Sequence, residues 1–226
     1  MALLGQAALA MWWDMAPDMR REFEDWHTHE HFPERLAIPG FLRSSRWIDA
    51  QDGEAVFVLY ELRDHAVLSS GDYLARLNAP TPWSSKLMPH HRNMVRSQNE
   101  VLESRGSAMG RYAMTLRFSP ADRPEELGAA LKARIAQAVS EPGISGAHLL
   151  RHRAPDIGQT REQAIRGGAD GAADWTLVVI GYESGALDAL GSGPLSDASL
   201  EDIGATGPAT RGRYVLSASA TPVDIG

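Results

Sequence analysis

Trp26-His27-Thr28-His29-Glu30-His31-Phe32-Pro33-Glu34-Arg35-Leu36-Ala37-Ile38-Pro39-Gly40-Phe41 is the stretch from which the rest of the chain can be read. Three of the eight histidines of the 226-residue sequence fall within five residues of it, beside a tryptophan and a glutamate. Upstream, Phe23, Trp26, His27, Glu30 and His31 recur at the i, i+3, i+4 spacing of one helix face, which predicts a helix from about Asp18 to His31. Pro33 lacks the amide hydrogen an interior helical position needs, so the helix is expected to end or break there. Pro39-Gly40 then turns the chain into a strand beginning at Phe41.

Before this helix, residues 5–15 read as a buried strand closed by Pro17. After it, strands are predicted over Phe41–Asp49 and Ala55–Leu62, joined by a turn at Asp52-Gly53. A second helix spans about His65–Leu77, a Pro- and aromatic-rich loop runs through Pro80-Thr81-Pro82-Trp83, and a fourth strand lies within 93–103. The order then repeats. It runs through a strand at Gly110–Phe118, a helix at Glu125–Val139, Pro142-Gly143 and a strand at Ile144–Arg153. A flexible Gly-rich link at 157–173 leads to a strand at Trp175–Tyr182, a helix near Ser184–Leu190, a mobile Gly/Ser/Asp stretch and a last strand at Arg211–Ala220. Trp13-Asp14 corresponds to Phe118-Ser119, and Pro39-Gly40 to Pro142-Gly143.

The fold class expected is therefore α+β, with two tandem ferredoxin-like βαββαβ units at 1–107 and 108–226. Each unit has an apolar sheet face that its own helices leave bare. Packing the two sheets together as an intramolecular dimeric α+β barrel covers both.

Composition narrows the function classes. A formal charge of −7, with no dense run of arginines, argues against nucleic acid as a partner. The absence of cysteine removes disulfides and thiolate chemistry, and is compatible with a cytoplasmic protein. The apolar start, Met1 to Met11, lacks a basic flank and reads as a first strand. No apolar run reaches the roughly 18 residues a membrane span needs, so no membrane partner is expected.

The histidines suggest chemistry, because imidazole titrates nearest neutrality. On a helix His27 and His31 share a face and His29 points elsewhere, which counts against a three-histidine metal site. The run also misses the His-Glu-x-x-His zinc pattern. Acid–base use is the better reading of the cluster. Trp26 and Tyr60 would shape a pocket. Arg46 would reach a substrate oxygen or pair with Glu61 or another acid, the pairing being favoured. His90 and His91 follow Met88-Pro89 in a loop of the kind that forms lids, and His90 is put forward as a substrate-binding residue. The second unit has no histidine in its first helix and is expected to be structural.

The run Glu30-His31-Phe32-Pro33-Glu34-Arg35-Leu36, with Ile38-Pro39-Gly40-Phe41 and Arg46-Trp47, resembles the first-helix signature of the dimeric α+β barrel superfamily, closest to EthD-like and related bacterial proteins. The likeness is strong over about 5–65 and extends to Pro80-Thr81-Pro82-Trp83 and Met88-Pro89-His90. Over the second half it is one of topology. The resemblance implies a ligand pocket between helices and sheet, in a superfamily of cofactor-independent monooxygenases, isomerases, cyclases, dehydrochlorinases and haem enzymes. It also places His31 at the pocket mouth as the expected catalytic acid or base, with Glu30 and His27 supporting it.

The expectation is an enzyme performing cofactor-independent proton transfer (isomerase, cyclase or lyase type) on a small aromatic or carbonyl compound. No cofactor is expected, though haem stays open. One alternative is a cofactor-free or haem-dependent monooxygenase. Another is a non-catalytic small-molecule binding or stress-response barrel, which a closed cavity too small for a ligand would favour. Pairing of the chain into a homodimer stays open.

Overall fold

The computed structural model describes residues 2–51, 53–167 and 170–225. Its eight long strands are β1 (Ala7–Met15), β2 (Phe41–Asp49), β3 (Ala55–Leu62), β4 (His91–Gly106), β5 (Tyr112–Pro120), β6 (Ile144–His152), β7 (Trp175–Gly181) and β8 (Ala205–Ala220). They are hydrogen-bonded in the order β1-β3-β2-β8-β5-β7-β6-β4, which closes as a barrel.

The chain forms two compact units. One comprises Leu4–Asn99, Arg153–Ala172 and Ser217–Gly226, the other Met1–Leu3, Glu100–His152 and Ala173–Leu216. Along the strand order, β4, β1, β3 and β2 are neighbours in the order of a ferredoxin-like sheet, and β8, β5, β7 and β6 repeat it. Even the irregularities recur. The β2–β3 register slips between Phe41 and Arg43, and the β6–β7 register slips between Ile144 and Gly146.

The Pro-Gly turns are equally matched. Gly40 and Gly143 adopt φ of +101° and +89°, the left-handed region that a side chain strains. Their carbonyls accept from Arg63 and Tyr182 N–H, each at 2.8 Å. A Cβ would meet Val67 at 2.5 Å in one turn and Ala186 at 2.6 Å in the other.

Each unit has its own core. In the first, Trp13, Phe23, Trp26, Phe32, Phe41 and Tyr60 are buried together. Trp12, adjacent to Trp13, faces the other side of the sheet as strand alternation requires, and stacks on Phe57, which stacks on Trp47, both at 5.2 Å. In the second unit, Leu116, Leu127, Leu131, Ile135, Leu149 and Leu177 form the core.

Four local expectations are corrected. The first helix does not stop at Pro33. It runs as α1 (Arg20–Trp26), a π turn (His27–His31) and α2 (Phe32–Leu36) without leaving helical backbone geometry. In an unbroken α-helix the proline ring would meet the carbonyl four residues back. The π turn, in which Phe32 N–H bonds to the His27 carbonyl, widens the backbone there and admits it.

Second, helices α3 (Gly71–Asn78) and α4 (Pro82–Leu87) divide the region read as one helix and a loop. Thr81 caps α4 by accepting from Ser84 N–H. Third, the 157–173 link contains α6 (Arg161–Ile165), held by a reciprocal Thr160–Gln163 capping box. Fourth, the stretch read as mobile holds α8 (Asp197–Asp202), capped by Ser196, after α7 (Ser184–Ser192). The long helix α5 (Pro124–Ala138) lies where predicted. The predicted Asp52-Gly53 turn falls partly on Asp52, outside the described residues.

Candidate functional site

His27, His31 and Arg35 follow one another at four-residue intervals along the first helical rod. They are 2%, 9% and 2% exposed, whereas His29 is exposed. Carrying the helix past Pro33 is what puts Arg35 on the same stripe. The imidazoles of His27 and His31 stack at 5.3 Å, and Trp26 lies 4.4 Å from His31. From β3, the Tyr60 hydroxyl approaches His27 Nε2 at 3.4 Å. From the start of β4, the His91 ring lies 4.9 Å from Trp13. As a residue His91 is half-buried, but its Nε2 is shut away from solvent.

These groups line a cavity of about 30 Å³, together with Tyr73, Arg96, Glu162 and Arg166. That is room for a water or two. Three imidazole nitrogens around it, His27 Nδ1, His31 Nδ1 and His91 Nε2, are buried with no hydrogen-bond partner. So is Arg35 Nη1. Native interiors rarely leave one such group unpaired.

An ionic cluster reaches the cavity through Arg35, Glu162 and Arg166. Glu162 on α6 accepts from Arg35 Nη2 at 2.5 Å and lies 3.8 Å from Arg166, which pairs with Asp170 at 2.8 Å. Glu34 lies 3.7 Å from Arg35, 3.8 Å from Arg76 and 3.8 Å from His31 Nδ1. Arg96 Nη2 donates to the Tyr73 hydroxyl at 2.6 Å.

Burial and like charge set the protonation states. His27 is held well below the ordinary imidazole range by desolvation, and further by Arg46 and His91. His31 is lowered likewise, by desolvation and then Arg35. His91 is pushed down to about 3, again chiefly by burial. Burial raises the Tyr60 phenol and the Glu34 carboxyl. At neutral pH the cavity thus presents neutral imidazoles and a neutral phenol beside fixed guanidinium charge.

The structure brings His27, His31, Trp26 and Tyr60 together at this cavity. Glu30 is placed elsewhere: its Oε1 accepts from Trp26 Nε1 at 3.0 Å and from the Thr81 hydroxyl at 2.5 Å, tying the rod to α4. Arg46 does not line the cavity either. It bonds the Glu24 carbonyl and Ser217 Oγ, both at 3.1 Å, and lies over Phe23. Nor does it pair with Glu61. Arg43 does, at 3.3 Å, because the register sets Arg43 opposite Glu61 and Arg46 opposite Val58. His90 closes a short turn over Met88–His90 outside the cavity, which its neighbour His91 enters.

Sequence reasoning missed Arg35, Arg96, Glu162 and Arg166. Arg35 was lost with the assumed helix stop. Glu162 and Arg166 were lost because their segment read as a link, although Thr160-x-x-Gln163 was a legible capping signal.

The eight-stranded ring and its two βαββαβ units define the class: the chain is a ferredoxin-like protein with the dimeric α+β barrel fold. It matches over 97% of its length, and 96% of the other chain, a candidate monooxygenase from Fusobacterium nucleatum, with TM-score 0.63 and 10% identity. An anthrone oxidase-like protein aligns over 96% of this chain and 93% of its own at TM-score 0.63 and 13% identity. A ferredoxin-fold protein from Listeria monocytogenes, related to antibiotic biosynthesis monooxygenases, aligns over 96% and 97% at TM-score 0.50 and 10% identity. No protein-family model matches the chain, and neither does any curated protein. No helix among the described residues is long and apolar enough to cross a membrane.

Proposed function

We propose that the first unit is a small-molecule enzyme whose chemistry is proton transfer on a carbonyl or phenolic compound, carried by its own side chains. The observation that supports this is a set of buried imidazole nitrogens, without hydrogen-bond partners among the described residues, on three histidines that line one cavity. A pocket built only for packing would fill those positions with apolar groups, since each buried polar atom without a partner costs about 1–3 kcal/mol. His31 is the proton acceptor, its Nδ1 lacking any hydrogen bond. The Tyr60 phenol, neutral and 3.4 Å from His27 Nε2, donates to the substrate oxygen as negative charge develops there. The guanidinium wall stabilises that charge in a water-poor site.

The cavity's size alone favours a binding protein without turnover; its lining does not. Room for a substrate comes from displacing side chains or the short helix α6. A porphyrin is far larger than this cavity, and no step is drawn through haem.

Solvent deuterium incorporation into a panel of enolisable carbonyl and phenolic compounds, read by NMR, tests the reading. Catalysed exchange is expected, falling on the order of a hundredfold or more in His31→Gln with the thermal midpoint nearly unchanged. No exchange over the panel, or exchange undiminished in the variant, would sink it.

A second reading is cofactor-free oxygen chemistry. It is favoured by a cavity of diatomic size beside Trp13 and Trp26, and it suits the names of the structural neighbours. The same base would then deprotonate an anthrone-like substrate before oxygen attack. Oxygen uptake with anthrone, lost in His31→Gln, distinguishes it from simple proton transfer.

A further inference from the structure

We infer that the substrate of this site is a carboxylate, and that Arg96 is the residue that holds it; the inference rests on the small-molecule enzyme reading of the same cavity. Charges buried in a protein are almost always paired, because an uncompensated one loses its hydration with nothing in return. Three guanidinium groups line this cavity. Arg35 has Glu162 and Glu34, and Arg166 has Asp170 and Glu162. Arg96 has no carboxylate partner among the described residues. It is 6% exposed and lines the cavity, and among the described residues its guanidinium has a single partner, the neutral phenol of Tyr73.

Arg96 is not loosely placed. Its own amide donates to the Gly171 carbonyl at 2.8 Å, and Gly171 N–H returns a bond to the Met94 carbonyl at 3.0 Å. A fixed guanidinium with only one neutral partner keeps donors free for a planar anion. Arg35 Nη1, buried without a hydrogen bond in the same lining, supplies one more.

A carboxylate here would also act on the base. The positive charge of Arg35 contributes to holding the His31 proton affinity down; an anion beside it cancels part of that effect. Substrate binding would thus strengthen His31 as a proton acceptor.

Equilibrium binding tests this without turnover. Acetate is small enough to probe the cavity nearly as it stands, and benzoate is a larger carboxylate. Their neutral counterparts are acetamide and benzamide, and inorganic phosphate is the competing anion. Calorimetry and thermal midpoints are expected to show the carboxylates binding and the amides not. Arg96→Gln should weaken carboxylate binding about tenfold or more, and Arg96→Lys should weaken it less, since it keeps the charge but loses the fork.

If Arg96→Gln misfolds, the Arg96→Lys result decides. Amides binding as well as acids, no carboxylate binding, carboxylate affinity unchanged in either variant, or phosphate preferred to both acids would each overturn the inference. The two readings fail separately. Deuterium exchange confined to neutral ketones would refute the carboxylate and keep proton transfer. Carboxylate binding that depends on Arg96, with no exchange on any compound, would refute proton transfer and keep the carboxylate.

Discussion

The two units place opposite materials on the same frame. In the first, the rod beside the sheet buries His27, His31 and Arg35 at i, i+4 and i+8; in the second, α5 buries Leu127, Leu131 and Ile135 at the same spacing. The facing strand carries Tyr60 in one case. In the other, register from the shared bulge puts Val179 at the equivalent place. Turns, bulges and strand order agree, so the frame does not need polar groups at these positions. Their presence in one unit is a cost in stability that packing alone gives no reason to keep.

Perturbing each side of this contrast gives distinct outcomes. The largest effect is expected from Glu162→Gln, which strips Arg35 and Arg166 of a shared partner. A loss of about 3–5 kcal/mol, measured by urea unfolding, is the scale for one broken buried pair. A loss under about 1 kcal/mol would mean the ionic wall is solvated. Leu131→Ala in the other unit should cost about 2–5 kcal/mol through the cavity it leaves. Acetate affinity per folded molecule should not change, and a change there would tie the site to the second core.

Acid should weaken the first unit through its histidines. Their folded proton affinities lie below the unfolded value near 6.5, so below that pH the unfolded chain binds more protons. Stability therefore falls as pH drops from about 6.5, and for His91 continues to fall toward its folded value of about 3. The slope approaches about 1.4 kcal/mol per pH unit per imidazole. Unfolding free energies at pH 7.5 and 5.0 should show it, and His27→Gln with His31→Gln should flatten it. A pH-independent wild type would show that these rings are hydrated. Thr160→Ala, removing the cap of α6, should cost about 1 kcal/mol in the same urea measurement. The smallest effect belongs to His29→Gln, expected within about 0.5 kcal/mol of wild type with exchange rates retained.

Much of the frame was legible because it rests on local rules. Unbroken β-rich apolar runs marked β3 and β7, both buried along nearly their whole length; the Pro-Gly turns marked the start of β2 and of β6; helical geometry separated His29 from His27 and His31. Errors came where one strong local signal was read alone. The missing amide of Pro33 signals an end or a break in the helix, whereas the π turn that makes it a break involves the backbone around it. The glycines of 157–173 outweighed a capping box that was equally present. For Arg46 the sequence offers a substrate oxygen, Glu61 or another acid as partner, and the bulge at Phe41/Arg43 makes Arg43 the residue opposite Glu61.

By itself, then, the sequence determined the order of the eight strands, the ferredoxin-like pattern that they repeat and the shared helix face of His27 and His31. All of these follow from short-range periodicity and turn chemistry. Only the tertiary structure decided that Arg35 extends that stripe and that Arg96, His91, Glu162 and Arg166 join it. It also placed Glu30 and Arg46 elsewhere. Those assignments depend on strand register and on segments more than a hundred residues apart, which no local pattern encodes.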